Sequence, residues 1–272
     1  MGRFRMVVMD LDSTLLDWNG DEATIGEEAK EVLTEVVERQ IITVIATGRS
    51  VRTSQLELET QSWSWGRPVP HFLIAFEKYC YRVQDGKNIE DGRLKEWNDE
   101  RRREGRSVIQ EIILPNWSRW LQALEERGLT PKHWSLDTGA GWLTLSYPDS
   151  ESAKVATDFL EILAAPFPQI KPNRNNQITG LIPKMGSKGV SLKFLADHLG
   201  IACDQIVTIG DGMNDWDMLD GRFGFFPVAV ANAEEAIKRA VLQAGGLVTE
   251  QPASLGVSEA IKRLILDHTR GD

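Results

Sequence analysis

Two segments rich in aspartate each follow a short apolar run: DLDST at residues 10–14 and GDGMND at residues 210–215. They contain four carboxylates, those of Asp10, Asp12, Asp211 and Asp215. If the fold brings these groups together, their charges repel one another unless a cation or a proton intervenes. Mg²⁺ prefers oxygen ligands and is typically held by a few carboxylates together with water and phosphate oxygens. The four aspartates are therefore candidate ligands of a Mg²⁺ ion.

Two further segments, ATGR at residues 46–49 and PKMGSKG at residues 183–189, offer groups that suit phosphate oxygens. Thr47 supplies a hydroxyl group, Gly48 a backbone amide without a side chain, and Lys188 a positive charge. Such groups stabilise the charge on a phosphoryl group during its transfer. An aspartate can be the nucleophile of such a transfer and form an aspartyl-phosphate. The set therefore indicates phosphoryl transfer.

The spacing of Asp10 and Asp12 adds a second catalytic role. Residues two apart in an extended segment point to the same side of the chain. One carboxylate can then attack phosphorus, while the other protonates the leaving oxygen and afterwards activates water. The pair thus suits a hydrolysis in two steps.

Apolar runs rich in β-branched residues alternate with amphipathic helical patterns in both outer parts of the chain, which predicts βαβ units and a parallel sheet. The predicted strands are Phe4–Met9, Ile41–Ala46, His71–Phe76, Gln205–Ile209 and Phe225–Val230. Ligands of open α/β sheets bind beyond the carboxyl ends of the strands. The candidate residues follow such ends, so we expect them to converge in one crevice.

The middle of the chain has a different pattern, αββαββ, which predicts an antiparallel sheet with helices on one face. Its predicted strands are Lys132–Asp137, Trp142–Tyr147, Gln169–Lys171 and Gln177–Ile182. A turn is predicted at residues 173–176, between the last two. We therefore expect a parallel-sheet domain made of residues 1–83 and 185–272, interrupted by an inserted domain at residues 84–184.

The motifs, taken in order, resemble those of haloacid dehalogenase-superfamily phosphatases. The matching segments are DLDSTLL at 10–16, ATGR at 46–49, PKMGSKG at 183–189 and GDGMND at 210–215, with weaker matches in ANA at 231–233 and GVSEAI at 256–261. The insert resembles the C2B-type cap of the Cof-like hydrolases and sucrose-phosphate phosphatases. The resemblance implies a Rossmann-like core with an αββαββ cap, and an enzyme that is a Mg²⁺-dependent phosphoric monoester hydrolase.

The resemblance also implies roles for the residues around the phosphoryl group. Asp10 is the nucleophile that becomes phosphorylated, and it is a Mg²⁺ ligand. Asp12 is the general acid and base, and its backbone carbonyl binds the metal. Lys188 neutralises the phosphoryl charge and holds Asp10, while Thr47 and the adjacent Gly48 contact the phosphoryl oxygens.

The GDGMND segment supplies the rest of the implied metal site. Asp211 is the second carboxylate that binds the metal. Asp215 is either a further metal ligand or contacts the ligands without binding the metal itself. Asn214 faces the phosphate or the lysine. Arg49, which ends the second motif, is expected to be structural or a surface charge.

The chain departs from the family pattern at two positions. Many relatives carry Glu-Asn-Gly after the third strand, where this chain has the run Glu77-Lys78-Tyr79. Ser13 occupies a position where glycine is commoner, and serine adopts unusual backbone angles less freely. Neither departure removes a catalytic group.

We expect the substrate to be a small phosphorylated metabolite, namely a sugar phosphate. The core motifs address only the phosphoryl group, so the inserted domain must select the rest of the molecule. Arg174 and Asn175, in the predicted turn, are the candidate contacts. The alternatives are a phosphomutase of the phosphomannomutase type, which returns the phosphoryl group to the sugar, and a non-catalytic binding module on the same scaffold.

Composition excludes several other classes of protein. The 272 residues carry a net charge of −9, whereas proteins that bind nucleic acid usually have a basic surplus. Because no apolar run approaches the roughly 20 residues of a membrane span, we expect no membrane partner. Two cysteines make no disulfide framework, which predicts a reduced, cytoplasmic protein. The sequence makes no prediction of oligomeric state.

Overall fold

The computed structural model of the protein describes residues 3–20, 22–66 and 69–267. It contains two compact units. The first consists of the chain up to Lys95, Lys188–Asp211 and the chain from Asp215 onward; the second consists of Glu96–Ser187 and Gly212–Asn214. The domain limits at residues 84 and 184, and the identity of the insert as a cap, remain predictions from the sequence.

The strands within the described residues are β1 (Met6–Met9), β2 (Asp17–Asn19), β3 (Glu22–Thr24), β4 (Ile42–Ala46), β5 (Phe72–Ala75), β6 (Tyr79–Gln84), β7 (Lys87–Ile89), β8 (His133–Asp137), β9 (Trp142–Ser146), β10 (Ile170–Asn175), β11 (Ile178–Pro183), β12 (Ile206–Gly210), β13 (Phe226–Ala229) and β14 (Leu247–Val248). The α-helices are α1 (Glu27–Glu38), α2 (Val51–Thr60), α3 (Gly92–Ser107), α4 (Leu114–Glu125), α5 (Ser150–Ala164), α6 (Lys188–Leu199), α7 (Trp216–Leu219), α8 (Glu235–Gln243) and α9 (Ala253–Ile261). A π-helical segment, Val108–Ile113, joins α3 to α4.

In the first unit, β1 lies within an eight-stranded sheet whose order is β14-β13-β12-β1-β4-β5-β6-β7. Both neighbours of β1 run parallel to it, so Met9 lies opposite Ile45 of β4 and Ile209 of β12. All four residues of β1 are buried, as in a parallel strand covered on both faces. The predicted α/β fold with a parallel sheet is confirmed. This register ends β1, β4 and β12 side by side, which places the segments that follow them at one edge.

The sheet continues past β5 through an antiparallel hairpin to β6 and on to β7, a continuation that the sequence analysis did not predict. The turn after β5 holds Phe76 and Glu77 at φ values of 48° and 60°. This left-handed region favours asparagine and glycine over bulky side chains. The backbone amide of Glu77 donates to the carbonyl oxygen of Thr47 at 2.9 Å, so the strained turn is joined to a predicted site segment.

The second unit contains a four-stranded antiparallel sheet in the order β10-β11-β9-β8. The alternating residues Leu143 and Leu145 of β9 pack with Trp117 and Trp120 of α4 and with Leu160 of α5 in one apolar cluster. This is the pattern of an antiparallel sheet with helices against one face, as the sequence predicted.

The turn predicted at residues 173–176 is wrong in its position. β10 extends to Asn175, which pairs with Ile178, so the loop of the hairpin consists of Asn176 and Gln177. Asn176 has a φ of 51°, which two-residue hairpin loops require and asparagine tolerates. Three asparagines within four residues suggested a loop, but cross-strand pairing holds Asn173 and Asn175 in the strand.

Candidate active site

Asp10 and Lys188 form a buried ion pair where β1 ends and α6 begins. The Lys188 Nζ atom lies 2.6 Å from Asp10 Oδ1 and 2.6 Å from Asp215 Oδ1. The Lys188 side chain is completely buried, and only 3% of the Asp10 side chain is exposed. The backbone amide of Leu11 also donates to Asp10 Oδ1 at 2.7 Å, which fixes the orientation of the carboxylate. The lysine therefore holds two aspartates that lie far apart in sequence.

Three carboxylates gather around this pair. Oxygen atoms of Asp10, Asp211 and Asp215 all lie within 4.8 Å of one another. The Thr14 hydroxyl donates to Asp211 Oδ1 at 2.7 Å, and the Asp211 amide donates to Asp215 Oδ2 at 3.0 Å. A Cβ atom on Gly210 would lie 2.5 Å from Asp215 Oδ2, so glycine is what permits this approach. The predicted metal ligands other than Asp12 thus form one cluster of side chains.

Burial and mutual repulsion perturb the pKa values of the cluster. Desolvation raises the pKa of Asp10 well above its ordinary value, and the charge of Asp215 raises it further. The same two causes raise the pKa of Asp211 to about 7. Desolvation lowers the pKa of Lys188, but the carboxylates of Asp10 and Asp215 outweigh it and leave the pKa raised. One lysine does not balance three carboxylates, of which those of Asp10 and Asp215 are buried and that of Asp211 is half-buried. An all-oxygen donor set with excess negative charge fits Mg²⁺.

Asp12 lies beside this cluster and is held by Arg49. The guanidinium Nη2 donates to Asp12 Oδ1 at 2.7 Å, and Nε donates to Asp12 Oδ2 at 2.9 Å. From the sequence, Arg49 was expected to be structural or a surface charge, and its partner Asp12, 37 positions away, was not predicted. The only available signal was the position of Arg49 just after a strand end, a place where ligand-binding residues concentrate.

The other residues predicted to meet the phosphoryl group lie on the turns after β4 and β12. Thr47 is fully buried, and its Oγ1 atom accepts a hydrogen bond from the Arg49 amide at 3.1 Å. Gly48 lies between these two residues in the bend after β4. Asn214 has a buried side chain and lies in the short 3₁₀ turn Met213–Asp215. The phosphate contacts of Thr47, Gly48 and Asn214 remain predictions.

The candidate cap residues Arg174 and Asn175 lie on opposite faces of the antiparallel sheet, because successive side chains of a strand alternate. Arg174 pairs with Thr179, whose hydroxyl contacts that of Thr157 in α5 at 2.7 Å. Arg174 is therefore on the helix-covered face, and its Nη1 donates to the Asn176 carbonyl oxygen at 3.4 Å. Asn175 is exposed on the other face. Of the two, Asn175 has the better access to a ligand.

None of the helices in the described ranges combines the length and the apolar character that crossing a bilayer requires.

Comparison with known proteins identifies relatives along most of the chain. The chain matches the family model for haloacid dehalogenase-like hydrolases over residues 7–64 and 142–261. It is 22% identical to the 5-amino-6-(5-phospho-D-ribitylamino)uracil phosphatase YcsE of Bacillus subtilis over 274 aligned positions, which cover 96% of each chain. It is 45% identical to the phosphoglycolate phosphatase of Archaeoglobus fulgidus over 78 residues, 29% of this chain and about a third (32%) of that protein's length.

Solved structures share the whole fold. The sucrose-phosphatase from Synechocystis, solved in complex with sucrose and phosphate, aligns with a TM-score of 0.65 at 18% identity over 97% of this chain and 98% of that chain. A HAD/Cof-like hydrolase from Plasmodium vivax aligns with the same TM-score of 0.65 at 17% identity, covering 98% and 97% of the two chains. These likenesses confirm the predicted fold, and the family model confirms the resemblance on which the predicted class of enzyme depends: the chain belongs to the haloacid dehalogenase-like hydrolase family.

Proposed function

We propose that this protein is a Mg²⁺-dependent phosphatase that hydrolyses a small phosphorylated metabolite through an aspartyl-phosphate on Asp10. The observation that carries the proposal is the buried Asp10 carboxylate, held by Lys188 at 2.6 Å within a cluster of three carboxylates. A carboxylate and a phosphate ester repel each other because both are negatively charged. The lysine and a cation beside the carboxylate neutralise this repulsion, so the carboxylate can approach the phosphorus.

In the first step, an Asp10 oxygen attacks phosphorus and the bond from phosphorus to the leaving oxygen breaks. Asp12 gives its proton to that oxygen, so the product leaves as an alcohol. In the second step, Asp12 takes a proton from water while the water oxygen attacks phosphorus. The bond between phosphorus and Asp10 breaks, which releases inorganic phosphate and restores Asp10. Lys188 keeps Asp10 oriented and offsets negative charge in both steps.

Asp10, Asp211 and Asp215 would hold the Mg²⁺ ion, and the resemblance adds the backbone carbonyl of Asp12. When bound, the ion supplies positive charge that stabilises the phosphoryl oxygens. Thr14 orients Asp211 through its hydroxyl group, and the Asp211 amide orients Asp215. Such outer hydrogen bonds keep ligands in place before the metal arrives.

The names of the relatives support the proposed class of substrate. They describe phosphatases of sucrose phosphate, of a phosphoribityl compound and of phosphoglycolate. All three are small phosphate esters, and the first two carry several hydroxyl groups. We therefore propose a polyhydroxylated substrate, a sugar phosphate or a sugar-alcohol phosphate.

The test is a Mg²⁺-dependent phosphate-release assay over a panel of sugar, sugar-alcohol, nucleotide and glycerol phosphates. We expect inorganic phosphate from at least one sugar or sugar-alcohol phosphate, and no release without Mg²⁺. An isomeric sugar phosphate as the product, without free phosphate, would establish a phosphomutase instead. Binding of Mg²⁺ without turnover of any ester would indicate the non-catalytic binding module.

Asn175 is expected to contribute to substrate selection. Replacing Asn175 with alanine should lower kcat/KM for the preferred sugar phosphate by roughly tenfold, the effect of losing one hydrogen bond to the substrate. Acetyl phosphate, which has no sugar to contact, should react almost as fast as with the unaltered enzyme. Gln177→Ala is the matched control, since Gln177 is exposed in the same hairpin. Equal losses of kcat/KM on both substrates would show that Asn175 does not contribute to substrate selection.

A further inference from the structure

We propose that Arg49 is a positioning residue that fixes the carboxylate of Asp12 for proton transfer, and that Glu57 in turn fixes Arg49. This inference rests on the proposed phosphatase function. It assigns a role in the reaction to Arg49, for which the sequence predicted only a structural or surface role, and to Glu57, which lies outside the motifs. Arg49 does not itself contact the reacting atoms; it acts through Asp12.

The contact between Arg49 and Asp12 has the geometry of a fork. Nη2 reaches Asp12 Oδ1 at 2.7 Å, while Nε lies 2.9 Å from Oδ2 and 3.1 Å from Oδ1. Two parallel hydrogen bonds from a planar guanidinium set both the distance and the rotation of a carboxylate. Lysine, with a single point of charge, cannot set the rotation in the same way.

Arg49 is itself held on several sides. Its Nη1 donates to Glu57 Oε2 of α2 at 2.8 Å, and its guanidinium carbon lies 5.5 Å from the centre of the Trp18 ring in β2. Its backbone amide donates to Thr47 Oγ1, and its carbonyl oxygen accepts from the Phe76 amide at 2.9 Å. About three-quarters of the Arg49 side chain is buried, with 23% exposed. It therefore provides a fixed support for Asp12.

Asp12 needs such a support because its side chain is more exposed than those of Asp10 and Asp215. A quarter of its side chain is exposed (25%), whereas those of Asp10 and Asp215 are buried. A proton-transfer group that is misplaced by about 1 Å loses much of its effect. A carboxylate has about four lone-pair sites, so the fork leaves sites on the far side of Asp12 for proton exchange.

The test compares two substrates that need the acid to different degrees. An alkyl phosphate such as the preferred sugar phosphate must have its leaving oxygen protonated, whereas p-nitrophenolate leaves without a proton. The ratio kcat/KM reports the steps up to phosphorylation of Asp10, in which Asp12 acts as the acid. For Arg49→Met we expect kcat/KM to fall about 10²-fold on the sugar phosphate, a typical effect of losing a general acid, and less than about threefold on p-nitrophenyl phosphate.

The double variant Asp12→Asn/Arg49→Met should lose no more on the sugar phosphate than Asp12→Asn alone, because Arg49 acts only through Asp12. Arg49→Lys should recover part of the loss, and Glu57→Gln should cause a smaller loss with the same dependence on the leaving group. Arg263→Met is the matched control, since Arg263 pairs with Glu259 one helical turn away and should leave both substrates unaffected.

The role of Arg49 would be overturned by equal losses of kcat/KM on the two substrates, by unchanged rates on both, or by additive losses in the double variant. If Arg49→Met fails to fold, as judged by its thermal transition, the ratio of rates in Arg49→Lys and Glu57→Gln decides the question. An unaltered enzyme that releases phosphate from neither ester would refute the proposed function and this inference with it. Activity of the unaltered enzyme combined with any contrary result above would refute the inference alone.

Discussion

Replacing Asp10 with asparagine is expected to lower kcat by at least ~10³-fold while the fold is retained, an effect of the size seen when a covalent nucleophile is removed. The amide is nearly isosteric with the carboxylate, but it is a poor nucleophile and a weaker metal ligand. Its Oδ1 atom can still accept from the Leu11 amide and from Lys188, as the carboxylate does now. The measurement is phosphate release under saturating substrate and Mg²⁺.

Two controls distinguish loss of chemistry from loss of structure. Asp204→Asn makes the same substitution at an exposed position outside the cluster and should leave kcat unchanged. A short incubation of the unaltered enzyme with substrate, quenched in acid, should give a peptide containing Asp10 that carries one phosphoryl group, and Asp10→Asn should not. A variant with near-normal turnover would refute the covalent mechanism.

Replacing Asp211 with asparagine is expected to raise the Mg²⁺ concentration needed for half-maximal activity by at least about tenfold. The change removes a carboxylate charge from the metal site, and hard cations depend on charged oxygen ligands. The Thr14 hydroxyl can still donate to the amide oxygen, so the local hydrogen bonding is preserved. A Mg²⁺ titration that coincides with that of the unaltered enzyme would remove Asp211 from the metal site.

The same site predicts how stability depends on pH in the absence of metal. The pKa of Asp211 in the folded protein lies at about 7, above its ordinary value of 3.8, so the native state binds a proton more tightly than the unfolded chain does. The contribution of this group to stability is therefore present at low pH and is lost as the pH rises towards 7. A bound cation reverses that loss, so Mg²⁺ should raise the melting temperature more at pH 8 than at pH 5.

The thermal measurement is independent of turnover. The amide introduced by Asp211→Asn cannot ionise. This variant should therefore show a flatter pH dependence of the melting temperature without metal, and a smaller rise in melting temperature when Mg²⁺ is added. If Mg²⁺ raised the melting temperature of the unaltered protein equally at pH 5 and pH 8, the carboxylate cluster would not be where the cation binds.

The amino-acid sequence was sufficient to predict the core of this protein because buried parallel strands are continuous apolar runs. Met6–Met9, Ile42–Ala46 and Ile206–Gly210 stand out in this way, and each is followed by polar residues of unusual type. Ligands of open parallel sheets bind at the edge where the strands end, so the convergence of Asp10 and Asp211 could be predicted. That β1 and β12 are direct neighbours is shown only by the structure. The resemblance to the haloacid dehalogenase superfamily depends on the same segments, which is why family and fold were both predictable.

Contacts between segments that the pattern does not relate were decided only by the tertiary structure. Nothing in the spacing of Asp12 and Arg49 pairs them, because their fork depends on the β1–β4 register and on Glu57 holding the guanidinium from α2. The hairpin at Asn176 and Gln177 likewise depends on cross-strand pairing, which overrides the turn preference of the asparagine-rich segment at residues 173–176. Local sequence sets which residues can form a strand or a turn, whereas long-range packing sets which of those options is stable and which side chains meet.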